Sequence, residues 1–146
     1  MFTYNLQTVL DYRQNIEEQK LAMFSEAERS LQQEKEALQG IRDQQKALVE
    51  ELKALKDREC CSRDIALAMT FAEALKKREE RQIEAVRGKA AVLEAKRREL
   101  FEAVKQRKMM EMHKDHQYQE YKSDLISSEQ RESDDISIQR YARREQ

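Results

Sequence analysis

From Phe24 to Leu55 apolar residues recur in alternating steps of three and four. The series is Phe24, Ala27, Leu31, Leu38, Ile41, Leu48, Leu52 and Leu55, with Glu34 and Gln45 at the two positions where the stripe turns polar. That spacing is the seam of a coiled coil, in which each seam residue meets a partner helix once every half heptad. No proline and only two glycines interrupt the chain. One of them, Gly40, costs a helix interior about 1 kcal/mol against alanine, too little to break so long an element. Ahead of the series, Leu6, Val9, Ile16 and Met23 form a stripe that joins it only after a slip of one residue. Such a slip predicts a local stutter in the supercoil. Thr3 and Asn5 are the candidate caps for the start of this first helix.

The heptads stop between Asp57 and Asp64. Cys60, Cys61 and Ser62 are weaker helix formers, Ser62 can cap a second helix, and Asp64 suits the positive end of that helix's dipole. The pattern predicts a first helix over 4–57, a turn over 58–63 and a second helix over 64–126. The second seam is Ile65, Ala68, Ala72, Leu75, Ile83, Val86, Ala90, Leu93, Leu100 and Val104. Beyond it the seam turns polar at Arg107, Glu111 and Lys114, then resumes weakly at Tyr118, Tyr121 and Leu125. The polar tail over 127–146 is expected to fray. The predicted fold is all-α: one antiparallel two-helix coiled-coil hairpin with a C-terminal helical overhang. Folding back at the turn sets residues whose numbers sum to about 121 against one another and brings the N-terminus to His113–His116.

Composition supports the reading. Charged residues are 39% of the 146 and aromatics 6%, with no Trp, which suits long helices and leaves little material for a thick core. The formal net charge is -1, so no global field favours nucleic acid. The signs are segregated, however. Residues 17–59 carry 11 acidic and 8 basic side chains, whereas residues 76–108 carry 12 basic and 6 acidic. An acidic arm and a basic arm are expected to attract when folded side by side. The adjacent Cys60 and Cys61 imply neither a disulfide framework nor a zinc site, and fit a reducing compartment. No signal peptide is visible, and the longest apolar run, 65–69, is far too short to be a transmembrane segment.

Nothing in the pattern builds a catalytic pocket: there is no phosphate-binding glycine loop, no nucleophile beside a base, and no carboxylate pair in a cleft. An enzyme is not expected, and no cofactor or metal is implied. His113 and His116 share a helix face but lack a third firm ligand. The basic run Lys96, Arg97, Arg98, Lys105, Arg107 and Lys108 is interleaved with Glu94, Glu99 and Glu102, which reads as a charged helix face rather than a nucleic-acid stripe. A two-helix pair buries one stripe of each helix. Leu67, Phe71, Phe101, Met109, Met110 and Met112 lie off the seam and are expected to meet partners.

The opening segment, Tyr4-Asn-Leu-Gln-Thr-Val-Leu-Asp-Tyr-Arg13 followed by Glu17, resembles the start of the flagellar export family FliJ. The stretch Leu100-Phe-Glu-Ala-Val-Lys-Gln-Arg-Lys-Met-Met-Glu-Met112 is similar to that family's second helix, and Tyr121 with Glu129-Gln-Arg-Glu-Ser-Asp-Asp135 resembles its C-terminal part. The resemblance implies an antiparallel two-helix coiled coil acting as a non-enzymatic stalk of the flagellar type III export apparatus. It implies three partners: the flagellar export ATPase, the export gate protein FlhA, and export chaperones that it helps recycle. It also implies a cytoplasmic protein held at the inner membrane face of the flagellar base. Carried onto this sequence, Leu6, Val9, Leu10, Arg13, Lys105, Arg107 and Lys108 are the expected ATPase contacts. Phe71, Leu75, Arg78 and Gln82 are the expected gate contacts. An injectisome stalk of the same architecture and a homodimeric coiled coil with an unbroken helix are the alternative readings.

Overall fold

The computed structural model describes residues 1–57 and 62–144, and among them every regular element is an α-helix. Helix α1 is Gln7–Lys56 and helix α2 is Ser62–Arg144. Of the turn predicted over 58–63, residues 58–61 lie outside the described residues, and with them the reading of Cys60 and Cys61; its last two residues, Ser62 and Arg63, are already helical, so α2 begins two residues earlier than expected. Ser62 opens α2 and Asp64 occupies its first turn, as a favourable helix start requires. The chain divides into two compact units, Met1–Glu18 with Glu102–Gln146, and Gln19–Phe101.

In the unit Gln19–Phe101, α1 and α2 pair antiparallel. Leu31, Ile41, Leu48 and Leu75 are buried, and Phe24, Ala27, Leu38, Leu52 and Leu55 are half-buried. The α1 seam therefore follows the sequence stripe without exception. Its two polar positions are filled by bonds across the pair. The Gln82 amide donates to the Glu34 carbonyl at 3.0 Å, and the Gln45 amide donates to Glu79 at 2.9 Å. The Arg42 guanidinium reaches the same Glu79 carboxylate at 3.0 Å. Arg42 and Glu79 sum to 121, the register expected from a hairpin.

Within the other unit α1 and α2 also pair antiparallel, with Lys114 donating to the Gln7 side chain at 2.8 Å. Its core is Tyr4, Leu10 and Ala103. Here the expectation from sequence needs correction. Leu6 and Val9 are 41% and 39% exposed, whereas Leu10 is 3% exposed and Ile16 half-buried; Met23, which belongs to the unit Gln19–Phe101, is 42% exposed. The buried stripe runs to lower numbers from Phe24 through Lys20, Glu17 and Arg13 to Leu10 in unbroken steps of three and four, so no slip of register occurs. The stripe was hard to see because three of its positions are charged. Each has a partner on α2: Lys20 on Glu99, Glu17 on Arg107, and Arg13 on Gln106.

On α2 the seam likewise takes Glu79, Gln82, Lys96 and Ala103, while Ala90 is exposed. The segregation of charge between the arms does not set this interface. Two of the three ion pairs described between the helices, Lys20–Glu99 and Arg42–Glu79, put the base on α1 and the acid on α2. A contact 3.0 Å long outweighs a diffuse field in water, because screening leaves only near neighbours with appreciable energy.

The start of the chain is not helical. Asn5 and Leu6 form a turn closed by a bond from the Gln7 amide to the Tyr4 carbonyl at 3.1 Å, so α1 begins three residues later than expected. Beyond Tyr121, α2 is exposed on all sides, yet it remains helical to Arg144 where fraying was expected. No proline interrupts it and no glycine lies past Gly88. With neither breaker present, propensity carries the helix on.

Candidate interaction surfaces

Within the unit that holds both chain termini, the first residues are clamped onto α2 by aromatic rings. Phe2 packs edge-on against Tyr118 with centroids 5.4 Å apart, and lies tilted on Tyr121 at 5.6 Å. Tyr4 is 8% exposed; its ring lies 5.8 Å from His113, and its hydroxyl bonds the ring Nδ1 at 2.9 Å. The Lys114 ammonium sits 6.0 Å from the Tyr4 centroid, at the limit of a cation–π contact. His113 is thus engaged by Tyr4, and His116 lies instead beside Glu120 at 3.5 Å. Periodicity placed Tyr118 and Tyr121 on a weak seam and missed this clamp. The available signal was a pair of aromatics three residues apart on α2 facing another pair, Phe2 and Tyr4, at the chain start.

The residues expected to touch the ATPase divide into two groups. Leu10 is buried in the core, Arg13 donates to Gln106, and Arg107 bonds both Glu17 and Glu111. Those bonds raise the pKa of the Arg107 guanidinium, first through Glu17 and then through Glu111. Leu6, Val9, Lys105 and Lys108 are exposed. Met109 and Met112 share the outward face of α2 with Lys105 and Lys108, and are 60% and 70% exposed. The surface offered here mixes cations with flexible apolar side chains.

The four residues expected to touch the gate also divide. Leu75 is 3% exposed and Gln82 is spent on Glu34, whereas Phe71 is 53% exposed and Arg78 is exposed. Phe71 does not stand alone. With Leu67 and Ala68 it lines a groove whose other wall is Leu48, Glu51 and Leu55 on α1, with Asp64 at one end. Leu67 and Met69 are 71% and 61% exposed. Acidic Glu51 and Asp64 beside an open apolar floor make a surface suited to an apolar side chain flanked by a cation.

Among the described residues there is no group of three or more potential metal ligands, and no helix is long and apolar enough to cross a membrane. The grooves are shallow and open on a two-helix surface, which suits protein contacts rather than enclosure of a small substrate.

Comparison with known proteins defines the fold further. The chain is similar in structure to CT670 of Chlamydia trachomatis, solved as a candidate YscO homolog, with a TM-score of 0.56, 18% identity and 100% of each chain covered. At that identity the likeness shows the fold. No curated protein matches the chain. The family model of the flagellar FliJ protein matches residues 2–146. With a match over nearly its whole length, the chain belongs to the flagellar FliJ family and is a component of type III export.

Proposed function

We propose that this protein is a non-catalytic stalk between the flagellar export ATPase and the export gate FlhA, and that it assists the recycling of export chaperones. The observation that carries the reading is the partition of residues within each unit. Seam residues, polar ones included, are consumed in holding α1 to α2, while a separate set of apolar and cationic residues is left in solvent. A coupling element needs that partition, because partner contact must not compete with the contacts that keep it stiff.

In the unit with the termini, Leu6, Val9, Lys105 and Lys108 contact the ATPase, and Leu10, Arg13 and Arg107 fix the backbone beneath them. In the other unit, Phe71 and Arg78 contact the gate, with Leu75 and Gln82 holding them in place. Such a protein works at the cytoplasmic face of the inner membrane at the flagellar base.

The test is a binding assay with the purified export ATPase and the cytoplasmic domain of the gate. Lys105→Glu with Lys108→Glu is expected to weaken ATPase binding and spare the gate. Phe71→Ala with Leu67→Ala is expected to do the reverse. Both variants retain wild-type helicity, since all four side chains are exposed. Unchanged binding of both partners by both variants refutes the assignment.

A further inference from the structure

The N-terminal arm supplies partners to α2 only as far as Tyr121, which meets Phe2 near the very start of the chain. The stripe that this arm covers nevertheless runs on in steps of three and four: Leu125, Glu129, Glu132, Ile136, Arg140 and Arg143. At 3.6 residues per turn these six lie within about 80° of one another, on one face of the helix. All six are exposed.

The order of charge along this face is unusual. Counting from Ile136, the face carries Glu at −7 and −4 and Arg at +4 and +7. A two-fold axis through Ile136 that lays the face antiparallel on its own copy sets Glu132 opposite Arg140 and Glu129 opposite Arg143. Each pair occurs twice, and Ile136 packs on Ile136. A partner of one charge sign would match half of the face and be repelled by the other half. A parallel copy would set Glu on Glu and Arg on Arg.

We propose that this segment of α2 is a self-association face, on which a second copy of the chain docks antiparallel about Ile136. The face is continuous with the intramolecular seam and extends it between molecules. The association is weak, because the charge pairs are exposed and one isoleucine contact per chain anchors the centre. It is correspondingly sensitive to ionic strength.

Sedimentation equilibrium on the full chain tests this with two variants. One carries Glu129→Arg and Glu132→Arg, the other Arg140→Glu and Arg143→Glu. The wild type is expected to show a concentration-dependent monomer–dimer equilibrium that weakens as salt is raised. Each variant alone meets like charge on like charge, and its self-association falls at least tenfold. An equimolar mixture of the two associates again, as a heterodimer, because one face is then wholly cationic and the other wholly anionic. The chain with all four substitutions also self-associates, since it carries the same pattern in reverse order. Rescue by mixing and by the fourfold variant separates the proposal from a simple loss of helix, which neither could repair. A wild type that stays monomeric up to about 1 mM overturns the proposal. So does a dimer indifferent to these four residues, or a mixture that fails to associate.

Discussion

Replacing Leu75 by alanine separates the residues that build the helix pair from those left for partners. Leu75 is 3% exposed in the seam of the unit Gln19–Phe101, while Phe71, one turn earlier on α2, is 53% exposed. Truncating a buried leucine costs about 2–5 kcal/mol: the lost transfer free energy plus the cavity left behind. In a two-helix interface the cavity opens to solvent on either flank and can partly collapse, so the cavity contribution is small and the cost falls near the low end, about 2–3 kcal/mol. Alanine's better helix propensity returns only a few tenths of a kcal/mol. For Phe71, about half of the side chain is already in water. The burial lost on truncation is then roughly half of the 1.5–3 kcal/mol that full burial contributes, near 1 kcal/mol.

Thermal and urea unfolding followed by circular dichroism at 222 nm measures the difference. Leu75→Ala is expected to lower the melting temperature by roughly 5–10 °C, at the 2–4 °C per kcal/mol typical of a chain this size. Phe71→Ala is expected to shift it by about a third to a half as much. Hydrogen exchange resolved by segment should place the Leu75→Ala loss within residues 19–101. If Phe71→Ala proves as destabilising as Leu75→Ala, Phe71 is a core residue and the separation of core from contact surface is wrong. If Leu75→Ala is silent, the seam itself is misplaced.

Other outcomes rest on single groups. Gly40 and Gly88 lie inside helices without positive φ, and a Cβ at either meets nothing within 4 Å, so Gly40→Ala and Gly88→Ala should each stabilise by about 0.5–1 kcal/mol in urea unfolding. Tyr4→Phe removes the hydroxyl bonded to His113 and should cost about 1 kcal/mol, seen as faster hydrogen exchange around residues 4–10 and 110–114. The Glu79 carboxyl is held below its ordinary value of 4.5 by the Gln45 amide and then by Arg42, and Glu99 likewise by Lys20. A carboxylate with a depressed folded pKa stabilises the fold above the ordinary value and loses that contribution as pH falls through the folded one. The melting temperature should therefore drop below about pH 4.5, and the drop should be shallower for Glu79→Gln with Glu99→Gln.

How much of this was legible in the sequence depends on what each seam position carries. Where the position carries a large apolar residue, periodicity serves well: Leu31, Ile41, Leu48 and Leu75 sit where the three-four spacing puts them, although the small Ala90 does not. Where the position is charged, the same arithmetic misleads. Lys20, Glu17 and Arg13 lie in the seam, while neighbouring Leu6, Val9 and Met23 point outward, because a long charged side chain can lay its stem along an apolar interface and still place its head on a partner. Leu10 and Leu75, named as contact candidates by resemblance, share their stretches of chain with exposed residues. Helical phase alone separates them, and it requires the seam to be placed first. The aromatic clamp was illegible for another reason: it joins a non-helical segment to α2, and no period describes a non-helical segment.

The charged seam positions also bear on why the two helices pair in one register. A seam of leucine and isoleucine repeating every seven residues is nearly as well satisfied when one helix slides by a heptad. The polar positions are not indifferent to such a slide. Moving the sum of facing residues up by seven, to 128, sets Glu17 opposite Glu111, and moving it down by seven, to 114, sets Glu34 opposite Glu80, each a like-charge contact. In the observed register the same groups are satisfied: Glu17 and Glu111 both accept from Arg107, and the Glu34 carboxylate accepts from Gln82. Each exposed pair contributes little and each like-charge contact in a slipped register costs a similarly small amount, so the preference for one register is the sum of several such differences. Selection of one register, rather than the added stability of an all-leucine seam, is what these polar positions contribute.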